Sequence, residues 1–174
     1  MKKFPFLLLD AGPIIKLFEL GIWDDFIRSC TVTISRTVAN EAKWASRELE
    51  DVRIDLSSYE QGRLIQVIDS DSSLVKTFYD RFDLQYRVEI DDGEKEILAF
   101  LCGSEEKWLA CSADHVVFRV LGLLGKADQG ISLQEILDSV GLSKTNLEPE
   151  YTKSFREKWT RKGQTDSVQD KGVR

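Results

Sequence analysis

The sequence predicts an α/β fold of three layers, in which a central, mostly parallel sheet of about four strands is flanked by helices. Two observations predict this class. Short apolar runs without polar alternation, typical of strands buried on both faces, recur along the chain. Segments whose apolar residues have helical spacing separate these runs, and an alternation of strands with helices favours a parallel sheet.

The first half of the chain begins with a strand, a helix and a second strand. Phe4–Leu9 is apolar throughout and predicts the first strand. Pro13 suits the first turn of the following helix, where the missing N–H is not needed. Thr31–Ile34 predicts the second strand. Ser35 then has the position of an N-cap, and we expect a long helix after it that runs to about Glu50. The apolar residues of this helix fall on one stripe at helical spacing: Val38, Ala42, Ala45 and Leu49.

The second half continues the alternation and ends in a segment of different character. Its predicted elements are a strand, two helices, a strand and two more helices: Leu64–Ile68, Ser72–Asp80, Glu94–Cys102, Trp108–Cys111, Asp114 to about Leu124, and Ile131–Val140. We therefore predict one domain over residues 1–145. Residues 146–174 are expected to form a C-terminal helix, with a disordered end from Lys162 onward.

The amino-acid composition limits the classes of protein to which this chain can belong. The 174 residues are 42% hydrophobic and 31% charged, as in one globular domain of ordinary size. No segment approaches the roughly 18 consecutive apolar residues that cross a membrane, so we expect no membrane partner and a cytoplasmic location. Cys30, Cys102 and Cys111 are expected to be reduced core thiols. His115 is the only histidine, which argues against a zinc site of cysteine and histidine.

Four acidic residues lie where a folded scaffold would direct them toward one point: Asp10, Glu41, Glu94 and Asp114. Asp10 and Asp114 directly follow apolar strands, at the edge of a parallel sheet where ligands bind. Burying unpaired carboxylates is costly, and a hard divalent cation with oxygen ligands removes that cost. The pattern therefore predicts a metal-dependent enzyme. Each acid also has a simpler interpretation, as the N-cap of a helix or as an exposed partner in an ion pair.

Glu94 is distinguished from its neighbour Glu96 by helical geometry. At about 100° per residue, the apolar side chains from Ile97 to Leu101 that face inward lie within roughly 60° of Glu94. Glu96 differs from Glu94 by about 200° and cannot face the same point. We therefore assign Glu94 to the metal site and Glu96 to the surface.

The segments around the four acids resemble the motifs of PIN-domain nucleases, in particular a group that includes toxins of toxin–antitoxin pairs. Leu9–Ile15 is similar to the first motif of that group, and Gly93–Ala99 is similar to the third. Ile34–Glu41 is similar to the second motif, and Ser112–Asp114 together with Arg119 is similar to the fourth. The resemblance covers roughly residues 4–142.

The resemblance implies a PIN-like fold and a small endoribonuclease that depends on Mg²⁺ or Mn²⁺. It implies RNA as the substrate, and an antitoxin protein or a second copy of the chain as further partners. It gives catalytic roles to Asp10, Glu41, Glu94 and Asp114, and metal ligation to Asp10, Glu94 and Asp114. Candidate contacts to substrate phosphates are Lys16, Arg36 and Arg119.

Two features depart from the family pattern. The chain after Asp114 is shorter than a further helix and strand would need, so we expect a fifth strand to be missing or displaced. The net charge of −6 gives no general attraction for nucleic acid.

Two other classes of function stay open. One is a non-catalytic α/β module that binds partners through its helices. The other is a metal-dependent phosphohydrolase that acts on a non-RNA substrate, or a receiver-like phosphoacceptor. A receiver would need adjacent acids before Asp10 and a lysine at a strand end. Binding of a divalent cation that is lost in Asp10→Asn separates an enzyme from a module.

The C-terminal segment allows two interpretations. Residues 148–174 hold seven basic and five acidic residues, a net charge of +2, which leaves −8 for the rest of the chain. Aromatic and apolar residues recur every four positions, and a helix places them on one face: Leu147, Tyr151, Phe155 and Trp159. We favour a helix that packs this face on its own domain. The alternative is a docking helix for a second subunit, an antitoxin or RNA.

Overall fold

A four-stranded parallel sheet forms the centre of the protein. The computed structural model describes residues 3–47, 50–142 and 146–173. The strands are Phe4–Leu9 (β1), Cys30–Ser35 (β2), Trp44–Arg47 (β3), Glu50–Arg53 (β4), Ile65–Ile68 (β5) and Leu109–Cys111 (β6). The sheet has the order β5-β2-β1-β6, with every neighbouring pair parallel, while β3 and β4 form a separate antiparallel hairpin. The predicted α/β class and the sheet of about four strands are confirmed.

Helices flank this sheet, as expected for the three-layer, PIN-like architecture. They are Ala11–Glu19 (α1), Trp23–Ser29 (α2), Arg36–Glu41 (α3), Leu56–Gln61 (α4), Ser72–Tyr79 (α5), Leu84–Arg87 (α6), Asp92–Gly103 (α7), His115–Leu123 (α8), Leu133–Val140 (α9) and Lys153–Val168 (α10). Pro13 lies in the first turn of α1, as predicted. The short helices α2, α4 and α6 were not predicted from the sequence.

The core lies between the sheet and the helices. Leu7, Leu8 and Leu9 of β1 are fully buried, whereas Phe6 keeps 42% of its surface exposed. Burial of β1 on both faces is therefore confirmed only for the half of the strand that leads to Asp10. At its carboxyl end, β1 lies between β2 and β6, so the backbone that carries Asp10 is fixed from both sides.

The long helix predicted after Ser35 is wrong. Ser35 caps α3 as expected, because its Oγ accepts a hydrogen bond of 3.2 Å from the N–H of Val38. However, α3 ends at Glu41, and the backbone of Ala42 has a ψ angle of 74°, outside the helical region. A hydrogen bond of 2.8 Å from Ile54 N–H to the carbonyl of Lys43 then closes the hairpin of β3 and β4.

The predicted apolar stripe of that helix is nevertheless buried where it is described. Val38, Ala42 and Ala45 are 0–3% exposed, although only Val38 lies within the helix. The fourth member of the stripe, Leu49, lies outside the described residues. The spacing of three or four residues thus predicted which side chains are buried, but it did not predict the secondary structure in which they lie.

The C-terminal helix packs on its own domain, as the favoured interpretation expected. The rings of Phe155 and Trp159 lie 6.4 Å from Phe118 and 4.4 Å from His115, measured between centroids. The disordered end expected from Lys162 onward is not what the structure has, because α10 continues to Val168. Its later turns are held against α8 by buried residues that a scan for apolar spacing passes over.

The other global expectations concern membranes and cysteines. Within the described ranges, no helix is long and apolar enough to cross a membrane. Cys30 and Cys111 are buried, Cys102 is partly buried, and all three are free thiols. Burial raises the pKa of the Cys30 thiol to about 12, which makes it an unreactive core residue.

Candidate functional site

The carboxyl ends of β1 and β6 bring Asp10 and Ser112 together. The two strands pair in parallel with Leu9 opposite Cys111, so the next residue of each leaves the sheet at the same edge. Ser112 Oγ donates a hydrogen bond of 2.6 Å to Asp10 Oδ2, and the N–H of Ala11 donates one of 2.8 Å to Asp10 Oδ1. Both oxygens of a carboxylate that is 9% exposed are thereby oriented.

Asp114 reaches the same edge through a tight contact between two turns. A Cβ atom added at Gly12 would lie 2.9 Å from the Cβ of Ala113, so only glycine lets these turns approach so closely. The N–H of Asp114 donates to Ser112 Oγ at 2.9 Å, and Asp114 Oδ1 accepts from the N–H of Val116 at 2.9 Å. Asp114 is therefore both the N-cap of α8 and a neighbour of Asp10.

Glu94 enters the site from the first turn of α7 and is 1% exposed. It forms a capping box with Asp91: Glu94 Oε2 accepts from Asp91 N–H, and Asp91 Oδ1 accepts from Glu94 N–H, each at 2.9 Å. Glu96 is partly exposed, and one oxygen lies 3.4 Å from the N–H of Thr37. The predicted orientation of the two glutamates is thus the observed one.

Glu41, at the end of α3, forms the outer side of the group. A Cβ atom added at Gly93 would lie 3.2 Å from Glu41 Oε2, which places the Glu41 carboxylate against the start of α7. The negative charges of Asp91 and Asp10 act on the Glu41 carboxylate and raise its pKa. Asp10, Glu41, Glu94 and Asp114, with Asp91, are called the carboxylate cluster below.

Burial and repulsion make the cluster electrostatically unfavourable. Burial first, and then the charges of Asp114, Asp91 and Asp10, raise the pKa of Glu94 to about 9 against one opposing backbone hydrogen bond. Burial also raises the pKa of Asp10, although the bonds from Ser112 and Ala11 work in the other direction. The pKa of Glu41 is raised by burial first and then by its acidic neighbours. Such a group is stabilised by protons or by a bound cation.

The donor atoms fit a hard divalent cation, but the side chains are arranged as helix caps. In the described parts of the chain, no group of three or more Asp, Glu, His or Cys side chains is arranged to hold a metal ion. The second oxygens, Glu94 Oε1 and Asp114 Oδ2, receive no hydrogen bond from a described residue. Carboxylate and hydroxyl oxygens are the ligands that Mg²⁺ and Mn²⁺ prefer. Ligation would need the carboxylates to turn from their caps toward a shared point.

The three basic residues predicted to contact substrate are each engaged with acids. Lys16 is 9% exposed and Arg119 is 5% exposed, while Arg36 lies at the surface. Their partners are Glu19 and Glu148 for Lys16, Glu60 and Asp69 for Arg36, and Asp166 and Glu89 for Arg119. The Arg119 guanidinium lies in the interior, which gives it a structural role.

Sequence reasoning missed Ser112, Asp91 and His115 at this site. Ser112 was part of the fourth motif without a role of its own, and its contact with Asp10 spans 102 residues of chain. Asp91 could have been found, because an acid three residues before Glu94 is the pattern of a capping box. His115 Nδ1 lies 3.0 Å from Asp114 Oδ1, and no sequence signal indicated that contact.

Comparison with known proteins adds no family to this description. The chain matches no protein-family model, no curated protein and no solved structure. The resemblance to PIN-domain nucleases therefore stays a prediction that depends on the motifs and on the chemistry of the carboxylate cluster.

Proposed function

We propose that this protein is a metal-dependent endoribonuclease that hydrolyses RNA phosphodiester bonds at the carboxylate cluster. One observation carries the proposal. Glu94 is only 1% exposed, and the charged neighbours that shift its pKa are the carboxylates Asp114, Asp91 and Asp10, at the carboxyl edge of a parallel sheet. Strongly perturbed carboxylates at such an edge are typical of reaction centres rather than of structural interiors. The PIN-like motifs supply the choice of RNA as the substrate.

Asp10, Glu94 and Asp114 would hold Mg²⁺ or Mn²⁺, and Ser112 would orient Asp10 through its hydrogen bond of 2.6 Å. When bound, such a cation lowers the pKa of a water molecule and offsets charge on the phosphoryl oxygens. Glu41 is more exposed than Glu94, and its Oε2 would accept a proton from the attacking water. Because burial and acidic neighbours raise the pKa of Glu94 to about 9, Glu94 would give up a proton when it holds a cation near neutral pH.

The experiment for this proposal combines cleavage with direct binding. The purified protein is incubated with a mixed RNA pool in Mn²⁺, in Mg²⁺ and in EDTA, and Mn²⁺ binding is measured by calorimetry. We expect cation-dependent cleavage and Mn²⁺ binding in the parent, and neither in Asp10→Asn. Cleavage that persists in EDTA or in Asp10→Asn would contradict the metal mechanism.

The same experiment separates the other two classes of function. A phosphohydrolase with a non-RNA substrate would bind Mn²⁺ and hydrolyse p-nitrophenyl phosphate while leaving RNA intact. A non-catalytic module would bind no Mn²⁺ through Asp10. Calorimetry keeps the test decisive even if the enzyme cleaves one specific RNA that the pool lacks.

Glu94→Gln and Glu96→Gln form a matched pair on one helix. Each removes one negative charge, but only Glu94 is buried in the cluster. We expect Glu94→Gln to abolish cleavage and weaken Mn²⁺ binding, and Glu96→Gln to stay within a fewfold of the parent. An inactive Glu96→Gln beside an active Glu94→Gln would show that the assignment on α7 is wrong.

A further inference from the structure

The C-terminal helix concentrates positive charge in an otherwise acidic protein. Lys153–Val168 contains five basic and two acidic residues, a net charge of +3, which leaves −9 for the rest of a chain whose net charge is −6. Basic residues on a helix are often only solvated, so this asymmetry alone is not a site. What matters is which of these cations already have partners and where the others lie.

Two of the basic side chains on α10 have no ion-pair partner among the described residues. Lys153, Arg156 and Lys162 form ion pairs with Glu157, Glu135 and Asp166, respectively. Lys158 and Arg161 are exposed, and neither forms an ion pair with any residue that the structure describes. The Lys158 ammonium lies 5.2 Å from the centre of the Trp159 ring, a cation–π contact that restrains it on the helix surface.

The two cations without an ion pair, Lys158 and Arg161, share one face of the helix. Positions 158, 161, 162 and 165 follow helical spacing, and Lys158, Trp159, Arg161, Lys162 and Thr165 line an open cavity of about 430 Å³. These five residues are called the α10 basic face below. The opposite side of α10 is buried against α8, where Gly163 and Asp166 lie.

The α10 basic face lies close to the carboxylate cluster. The ring of Trp159 lies 4.4 Å from the ring of His115, and His115 Nδ1 lies 3.0 Å from Asp114 Oδ1. Two side chains therefore connect the cavity with the edge of the cluster. The positive charges of the α10 basic face can hold a polyanion that the acids of the cluster repel. The polyanion then lies next to the proposed reaction centre.

We propose that the α10 basic face binds the phosphate backbone of single-stranded RNA and directs it to the carboxylate cluster. The proposal depends on the proposed nuclease function for its substrate. Lysine and arginine are the side chains that contact phosphates, and such contacts do not depend on base sequence. The face extends only about 10 Å along the helix, which fits a short run of one strand. Domains that bind double-stranded RNA, by contrast, span about 16 base pairs.

The test measures RNA binding in EDTA, where metal-dependent cleavage is blocked. The probe is a fluorescein-labelled strand of twelve uridines, and its anisotropy is followed at several KCl concentrations. Lys158→Gln/Arg161→Gln is compared with Arg63→Gln/Arg81→Gln, which changes the net charge equally at two exposed sites elsewhere. Neither double variant removes an ion pair with a described residue, and thermal melts check that both remain folded.

We expect the α10 double variant to lose on the order of tenfold in affinity at 50 mM KCl. The slope of log affinity against log salt should fall by about 1.4, since each lost phosphate contact on a single strand contributes about 0.7. The control variant should keep the affinity and slope of the parent. Equal behaviour of the two variants, or no binding by the parent, would overturn the proposal.

Failure of this inference and failure of the nuclease proposal give different results. If RNA binds through the α10 basic face but no cation-dependent cleavage occurs, the surface stands and the nuclease proposal fails. If RNA is cleaved and the α10 double variant cleaves at the parental rate, the nuclease stands and the surface fails. A labelled polyglutamate peptide is a second probe, and loss of its binding without loss of RNA binding would assign the face to an acidic protein.

Discussion

Two carboxylates that are equally shielded from solvent have pKa values shifted in opposite directions. Glu94 in α7 and Asp166 in α10 are each 1% exposed. Burial raises the pKa of Glu94 to about 9. Burial would also raise the pKa of Asp166, but hydrogen bonds from Lys162, Tyr86 and Arg119 outweigh it and lower that pKa to about 2. Both side chains have the same exposed fraction. Asp166 has two cationic partners and a hydroxyl donor that oppose the effect of burial, whereas at Glu94 one backbone hydrogen bond opposes it and acidic charges add to it.

The comparison separates a structural carboxylate from a candidate reactive one. Asp166 accepts 2.7 Å and 2.9 Å hydrogen bonds from Tyr86 and Arg119, so its charge is compensated and fixes α10 on the domain. Glu94 is buried and the charges near it are acidic, so its ionised form is disfavoured without a cation. Burial of a charge is therefore weak information about function, whereas burial of a charge without a counter-charge is strong information.

The largest expected effect tests the compensated member of the pair. Asp166→Asn leaves the buried Arg119 guanidinium with Glu89 as its acidic partner among the described residues. We expect a loss of about 3 kcal/mol in the free energy of unfolding, measured by urea denaturation at pH 7. Lys162→Gln removes the exposed partner of the same carboxylate and should cost under about 1 kcal/mol. Equal losses would remove the basis for calling Asp166 structural.

The next effect concerns the backbone contact that brings Asp166 to Arg119. A Cβ atom added at Gly163 would lie 1.8 Å from the carbonyl oxygen of Arg119, so Gly163→Ala must push α10 away from α8. We expect a loss of about 2 kcal/mol in unfolding experiments, because overpacking outweighs the better helix propensity of alanine. Gly103→Ala is the control, since an added Cβ there meets nothing within 4 Å. A neutral Gly163→Ala would contradict this close crossing.

The pH dependence of stability should differ in sign between the two carboxylates. Stability from protonated Glu94 is fully present below its ordinary pKa near 4.5 and is lost as pH rises toward about 9. Stability from ionised Asp166 is present above its ordinary pKa near 4 and is lost as pH falls toward about 2. In EDTA, we therefore expect the parent to lose stability from pH 5 to pH 9, with a slope of at most about 1.4 kcal/mol per pH unit from Glu94.

Glu94→Gln isolates that contribution. The variant should be about 1–2 kcal/mol more stable than the parent at pH 8 and nearly equal to it at pH 4, in urea unfolding with EDTA present. Glu96→Gln lies on the same helix and should leave the slope unchanged. A parent whose stability is flat across this range would mean that Glu94 is not the strained carboxylate.

Patterns of neighbouring residues predicted the parts of the molecule that depend on local geometry. The apolar run before Asp10 gave the central strand, and the apolar face of α7 separated Glu94 from Glu96 correctly. Local spacing failed after Ser35, because a stripe of buried residues fits both a helix and a short helix followed by a hairpin. The turn at Ala42 depends on Lys43 pairing with Ile54, which lies eleven residues further along the chain.

Long-range partners explain the remaining errors. Arg119 looked like a surface residue because its partner, Asp166, is 47 residues away and has no apolar pattern around it. The same reason hid the continuation of α10 beyond Lys162, which depends on contacts of Gly163 with the backbone of α8. Buried ion pairs and close helix crossings at glycine join segments that are distant in the sequence. The residues next to each segment therefore do not indicate them.

The smallest expected effect lies at Ser112, whose hydroxyl group donates a hydrogen bond to Asp10 Oδ2, while the N–H of Ala11 donates to Oδ1. Ser112→Ala removes the hydrogen bond of 2.6 Å to Asp10 Oδ2, and it also removes the acceptor of the N–H of Asp114. We expect a loss of about 1 kcal/mol at pH 8, where Asp10 is more ionised, and a smaller loss at pH 4. Ser139→Ala, which removes an exposed hydroxyl on α9, should cost under about 0.5 kcal/mol at both pH values. If Ser112→Ala costs the same at pH 4 and pH 8, the hydroxyl group does not stabilise the charge of Asp10, and among the described donors only the N–H of Ala11 would do so.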